Sequence, residues 1–239
     1  MANGKKDFGV VLAAAGSGAR FGGKKQLLLL GGKPLWTHSL GTLASTPGVG
    51  YVVVVVAPSD VESFSKDFRD ELKSDSVGIA VGGVSRQESV LNGLRALPSE
   101  CEFVLVHDAA RPLVTADEVQ RVLSSVRKDG AAVLGYPAVD SIKESSDKKT
   151  VRRNLRRETV WLVQTPQGSR TRVLISAIEE GIRDEFVGTD EASFLERRGV
   201  PVTLVEGSRE NIKVTYPDDL ELAEFLLERR TRDPESGRR

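Results

Sequence analysis

The chain holds 239 residues, 39% hydrophobic and 28% charged, which is enough apolar material for one large α/β domain. Its 34 lysines and arginines balance 34 aspartates and glutamates, and this neutrality argues against a dedicated nucleic-acid binder, which carries a basic excess. One cysteine, Cys101, and two histidines, His38 and His107, exclude an internal disulfide, a multi-cysteine metal site and a histidine-rich metal centre.

The first residues, MANGKKDFG, show no apolar leader, and no apolar run reaches membrane-spanning length. A cytoplasmic protein with no membrane partner is the expectation. The run from Phe8 to Ala14 reads as a strand. It opens into a stretch holding Gly16, Gly18, Gly22 and Gly23, threaded with Arg20, Lys24 and Lys25. Backbone N–H groups approach an anion only where side chains are absent, and cations neutralise it, so this loop predicts phosphate binding. PLWTHSLGTLAS then predicts a helix with Pro34 near its start. YVVVVVA, almost wholly apolar and β-branched, predicts a strand buried on both faces.

SDVESFSKDFRDELK carries a helical rhythm behind a Ser/Asp cap. VGIAVGG reads as a short strand, SRQESVLNGLRAL as a helix, FVLVHDAARP as a buried strand ending in polar residues, and TADEVQRVLSSVRKDG as a capped helix with a glycine stop. AAVLGYPA follows as a further strand. This alternation predicts a doubly wound, mostly parallel α/β sheet. Ligands on such sheets sit at the carboxyl ends of strands, which would bring the glycine-rich loop and HDAARP to one site. From Asp140 to about Arg157 the chain turns polar and charge-dense, as a solvated loop or an extended arm would. TRVLISAIEEGI and TDEASFLERRG read as helices, PVTLVEG as a strand and YPDDLELAEFLLERR as a final helix.

The known loop patterns fit incompletely. Gly18 to Lys24 follows a Walker A motif until Lys25 stands where the Mg²⁺-binding Ser or Thr belongs. The dinucleotide pattern from Gly16 and Gly18 meets Phe21 in place of its third glycine. Three cations in six residues repel one another without an anion between them, which argues against a ligand-free turn. No nucleophile elbow is present. Cys101 reads as a surface or edge residue, and His38 and His107 as structural. What remains favours phosphoryl or nucleotidyl transfer without a covalent intermediate, in which the protein supplies positioning and positive charge. Arg20, Lys24, Lys25, Arg111, Arg157 and Lys213 are available for that.

LAAAGSGARF…KKQ, GGVSRQESVLNGL, VHDAARP, QTPQ, TDEAS and ENIKVTYPDDL, taken in order, resemble the 2-C-methyl-D-erythritol 4-phosphate cytidylyltransferase family from about Val10 to Leu227. The resemblance implies a Rossmann-like nucleotidyltransferase that uses CTP, a polyol phosphate acceptor and Mg²⁺. Arg20, Lys25, Arg157 and Lys213 would be catalytic. Ala14, Ala15, Gly16, Gly18, Gly83, Ser89, Asp108 and Ala109 would hold the nucleotide. Arg111, Ser141, Arg157, Thr165 and Thr189 would bind the acceptor phosphate. Asp108 would be the one protein ligand to a metal held mainly by CTP. An arm at about 138–160 would make a homodimer, within a single domain of residues 1–229 followed by a disordered tail over 230–239. Lys24, Phe21 and Leu27 depart from the family pattern, and Ser141 replaces a common threonine. The related ribitol-5-phosphate cytidylyltransferases, a P-loop ATPase or switch, and a non-catalytic nucleotide-binding homologue remain alternatives.

Overall fold

A computed structural model describes residues 5–16 and 27–233. Gly18, Arg20, Lys24 and Lys25 lie outside the described residues. In chain order the elements are β1 (Phe8–Ala13), a small hairpin of β2 (Leu29–Leu30) and β3 (Lys33–Pro34), α1 (Leu35–Ser45), β4 (Val49–Val56), α2 (Val61–Asp67), β5 (Val77–Val81), α3 (Arg86–Arg95) and β6 (Phe103–Asp108). They continue as α4 (Ala116–Asp129), β7 (Ala131–Pro137), the arm strands β8 (Ile142–Glu144) and β9 (Arg153–Leu155), β10 (Trp161–Arg170), α5 (Thr171–Arg183), α6 (Glu191–Arg197), β11 (Thr203–Glu206) and α7 (Pro217–Arg232).

Seven strands make one sheet in the order β11-β7-β10-β6-β1-β4-β5. All neighbours are parallel except β10, which runs antiparallel to both β6 and β7. Strand alternation decides the two faces. Phe8, Val10 and Leu12 of β1, with Val52, Val54 and Val56 of β4, join the core beneath α1 and α4. Val11, Val53 and Val55 point the other way, against α3, α5 and α6. Helix α3 lies close to the sheet at Gly93, where a Cβ would stand 2.6 Å from Val55 Cγ2. Helix α4 begins in a Thr115–Glu118 capping box and ends at Gly130, whose φ of +90° is the left-handed region that favours glycine.

Three sequence expectations are corrected, and one strand was not foreseen. WLVQTPQGSR, which showed no strand signal, is β10: it carries Gln164, Thr165, Gln167 and Ser169 buried, and its pairing with β7 shifts register between Val163 and Gln167. The second helix is shorter than its rhythm suggests. It is α2 alone, led in by a 3₁₀ turn at Pro58–Asp60, because Phe64 is its one buried anchor. Cys101 is not a surface residue but 6% exposed, and burial pushes its thiol pKa up. Helix α7 runs past residue 229 to Arg232. There Arg230 donates to Leu113 O at 2.6 Å and pairs with Glu210 at 3.1 Å, which orders the first part of the expected tail.

Candidate active site

Side chains converge where β1 and β6 end side by side. Beyond the strands the chain segments stay joined, Ala14 N–H donating to Val55 O at 2.9 Å and Ala109 N–H to Ala13 O at 3.1 Å. The segment after β11 is laid along the end of β6 by Val214 N–H donating to Ala110 O at 2.8 Å. This brings Lys213 beside Asp108 although they are 105 residues apart. The resulting cavity, about 370 Å³, is lined by Ala14, Ala15, Gly16, Gly83, Ser89, Asp108, Ala109 and Lys213, together with Ser85 and Arg86. Every nucleotide-binding residue expected from sequence is therefore in one place, except Gly18, which lies outside the described residues.

One lip of the cavity is built by the start of α3. Ser85 caps the helix by accepting Glu88 N–H at 3.2 Å. Ser89 Oγ accepts Gly83 N–H at 3.0 Å and donates to Ser85 O at 2.8 Å. Glu88 takes Val84 N–H at 2.9 Å. Gly83 has no room for a side chain, since a Cβ would fall 2.4 Å from Glu88 Cβ.

Asp108 is the electrostatic centre. Its carboxylate lies 2.7 Å from Lys213 Nζ, 3.4 Å from an Arg86 NH2 and 3.9 Å from Arg111 Nε. Burial favours the neutral acid, but the cations of Lys213 and Arg86 overcome it and hold the pKa well below the usual carboxylate range. Arg86 in turn is clamped by Glu191, which is 2% exposed, through bonds of 2.6 and 3.2 Å. Burial disfavours the Arg86 charge, and the Glu191 carboxylate more than restores it. Sequence reasoning missed this pair, because nothing in the local pattern of either residue points to the other.

The expected acceptor-site residues divide. Arg111 is held by donating to Asn211 O at 2.8 Å, and burial pushes its pKa down, partly offset by Asp108. Thr165 is buried behind Asp108, accepting its backbone N–H at 3.0 Å. Its hydroxyl also meets His107 Nδ1 at 3.0 Å, and His107 Nε2 meets Arg111 O at 3.1 Å. Burial pushes the His107 pKa down to about 4 against the raising effect of the Arg111 carbonyl, so the ring is neutral near pH 7. Thr189 is exposed and linked only indirectly: Gln167 donates to Asp190 at 3.0 Å and accepts Ala192 N–H at 2.9 Å.

Ser141 and Arg157 are not brought to this cavity. Both sit exposed on the arm, which is a β8–β9 hairpin and not a loose loop: Ile142 pairs with Leu155 and Glu144 with Arg153. Arg157 donates to Val139 O at 2.9 Å and faces Glu158 at 3.5 Å. Arg152 and Arg153 pair with Glu144 across the hairpin.

For a divalent cation, Asp108 is the one carboxylate lining the cavity among the described residues. Among those residues no group of three or more His, Cys, Asp or Glu could hold a metal. Such a donor set fits an ion carried chiefly by a ligand's phosphates, as Mg²⁺ commonly is, and not a cage built by protein alone. Among the described residues no helix is long and apolar enough to cross a membrane.

The family described as 2-C-methyl-D-erythritol 4-phosphate cytidylyltransferase (IspD) matches residues 8–229. A protein of that name from Solibacter usitatus is 41% identical over 91% of this chain and 94% of its own length. The crystal structure of the Thermus thermophilus protein of that name is 34% identical, with a TM-score of 0.77 over 92% of this chain and 98% of that one. The structure titled 4-diphosphocytidyl-2C-methyl-D-erythritol synthase from Anaerococcus prevotii superposes with a TM-score of 0.81 at 25% identity, covering 92% and 96%. By the extent of these matches in sequence and in fold, the chain belongs to the 2-C-methyl-D-erythritol 4-phosphate cytidylyltransferase family.

Proposed function

We propose that this chain is the cytidylyltransferase of its family: it joins the phosphate of 2-C-methyl-D-erythritol 4-phosphate to the α-phosphorus of CTP and releases pyrophosphate. The observation that carries this reading is the Asp108 carboxylate ringed by Lys213, Arg86 and Arg111 at the edge of a glycine-lined cavity. An oxygen of the acceptor phosphate forms the new bond to the α-phosphorus. The bond from that phosphorus to the bridging oxygen breaks, and pyrophosphate leaves with the electron pair. The attacking phosphate is already ionised at neutral pH, so no general base is needed. What the chain must supply is orientation and positive charge where negative charge grows.

In this reading Gly83 and Ser89 hold the cytidine end of the nucleotide, Ala14 to Gly16 approach its phosphates, and Lys213 contacts the reacting phosphates. Arg111 takes the acceptor phosphate, and Thr165 and Thr189 complete its side of the site. Arg20 and Lys25 stabilise the transition state from the glycine-rich loop. A divalent cation, Mg²⁺ in expectation, would be held by the triphosphate and the Asp108 carboxylate, and would supply charge neutralisation there. The chain acts as one domain in the cytoplasm. Arg157 and Ser141, exposed on the arm, serve the pocket of a second copy. The arm's exposed Val139 and Val151, with Leu162 and Val163 exposed at the adjoining start of β10, support a homodimer formed through it.

The test is pyrophosphate release with CTP and each of methylerythritol phosphate and ribitol 5-phosphate, with orthophosphate release from ATP alone as a further arm. Release that needs both CTP and methylerythritol phosphate is expected. Activity confined to ribitol phosphate would overturn the substrate, and ATP hydrolysis without acceptor would overturn the reaction class.

A further inference from the structure

Behind the Asp108 carboxylate runs a short chain of hydrogen bonds whose direction the chemistry dictates. Asp108 N–H can only donate, so Thr165 Oγ1, 3.0 Å away, accepts. The Arg111 carbonyl can only accept, so His107 Nε2, 3.1 Å away, carries the ring's hydrogen. In the neutral ring Nδ1 is then an acceptor, and the Thr165 hydroxyl, 3.0 Å from it, donates its hydrogen there. His107 is 0% exposed and Thr165 4% exposed, so water does not compete for these groups. The Arg111 carbonyl receives a second bond from Ser39 Oγ at 3.1 Å.

We propose that His107, in its Nε2–H tautomer, is a positioning residue with two separate outputs: through Thr165 it sets the Asp108 backbone beside Lys213, and through the Arg111 carbonyl it sets the guanidinium that takes the acceptor phosphate. This rests on the functional reading above for which substrate each arm serves. One ring placed between the strand end and the following turn holds both halves of the site at a fixed spacing. In-line transfer is sensitive to that spacing, because misplacement of reacting groups by about 1 Å costs rate steeply. The Thr165 hydroxyl thereby commits its one hydrogen to the scaffold and has only an acceptor lone pair left. Its contribution to the acceptor site is through Asp108 and the turn, not as a donor to phosphate.

The two ring nitrogens can be imitated one at a time. In His107→Asn the amide oxygen replaces Nδ1 and keeps the Thr165 arm. In His107→Gln the amide nitrogen replaces Nε2–H and keeps the Arg111 arm. Expected for His107→Asn is a rise of about tenfold in the acceptor KM with the CTP KM held within about twofold, the size of one lost buried hydrogen bond. Expected for His107→Gln is the reverse, a change in CTP KM and kcat with the acceptor KM held. Thr165→Val, which removes the bridging hydroxyl, should reproduce the Gln variant. Independently of any activity, ¹⁵N-histidine NMR of the wild-type protein should show the Nε2–H tautomer for His107, assigned by loss of its signal in the variants and told apart from that of His38, whose Nε2 also meets a carbonyl, Leu30 O at 2.8 Å. An Nδ1–H tautomer for His107 would overturn the proposal. So would Asn and Gln variants that lose stability together and alter both KM values alike, which is what a merely structural ring would do. Failure of the functional reading would appear instead in the wild-type enzyme, as absent pyrophosphate release with an intact tautomer signal.

Discussion

Replacing Arg86 by alanine tests the least visible part of the site. The guanidinium makes both close bonds to Glu191, at 2.6 and 3.2 Å, and its NH2 also reaches Asp108 at 3.4 Å. Glu191 is 2% exposed, so Arg86→Ala would strand a buried carboxylate, an event that costs about 3–5 kcal/mol in a fully buried pair. The Arg86 side chain is 39% exposed, and solvent screening lowers the expected loss to about 2–4 kcal/mol. For a chain of 239 residues the unfolding entropy is about 0.5 kcal/mol/K, so the melting temperature should fall by about 4–8 °C. Adding Glu191→Gln removes the stranded charge and should recover at least about 1 kcal/mol. Thermal and denaturant unfolding of the wild type, both single variants and the double variant measure this cycle. A loss below about 1 kcal/mol in Arg86→Ala, or a double variant no more stable than Arg86→Ala, would refute the claim that the Glu191 charge depends on Arg86.

Lys213→Ala should lower kcat by about 10²–10³, the usual consequence of removing one preorganised charge at a transition state. It should fold normally, since Arg86 and Arg111 remain at 3.4 and 3.9 Å from Asp108; turnover within tenfold of wild type would remove Lys213 from the chemistry. If Arg157 serves the partner's pocket, mixing Arg157→Ala with Lys213→Ala subunits creates dimers with one doubly damaged and one intact pocket. Activity should then return in the mixture, and an inactive mixture would place Arg157 and Lys213 in the same pocket or neither. Acid should weaken the fold through His107. The unfolded imidazole titrates near the ordinary histidine value of about 6.5 and the folded one, buried, at about 4, so between those values the unfolded chain binds more protons and stability falls as pH falls. The loss from pH 7 to pH 5 should be about 2 kcal/mol by denaturant unfolding. His107→Gln should flatten that slope, and a wild-type slope unchanged in the variant would show that other groups cause it.

Much of the framework is written locally. The apolar runs of β1 and β4 read as strands in the sequence and lie buried in the sheet, because burial on both sides of a parallel strand demands apolar residues at every position. The Thr115–Glu118 cap and the Gly130 stop are likewise readable, since each is settled within one turn of helix. Topology alone brought Asp108 to the site of the glycine-rich loop, whereas Gly83, Ser89 and Lys213 were legible there only through their resemblance to a family.

The rest depends on partners far away in the chain. β10 hides its strand character because its buried Gln164, Thr165 and Gln167 are satisfied by Ser208, Asp108, Asp190 and Ala192 from other segments, not by alternating apolar contacts. Arg86 and Glu191 stand 105 residues apart, and each alone reads as an ordinary charge at the start of a helix. By itself the sequence determined most of the strands and helices and which residues can bind phosphate, because propensity, periodicity and residue chemistry act over a few neighbours. Only the tertiary structure decided which charges face which carboxylates, and which nitrogen of His107 carries its hydrogen. Those outcomes belong to pairings that exist nowhere until the sheet has closed.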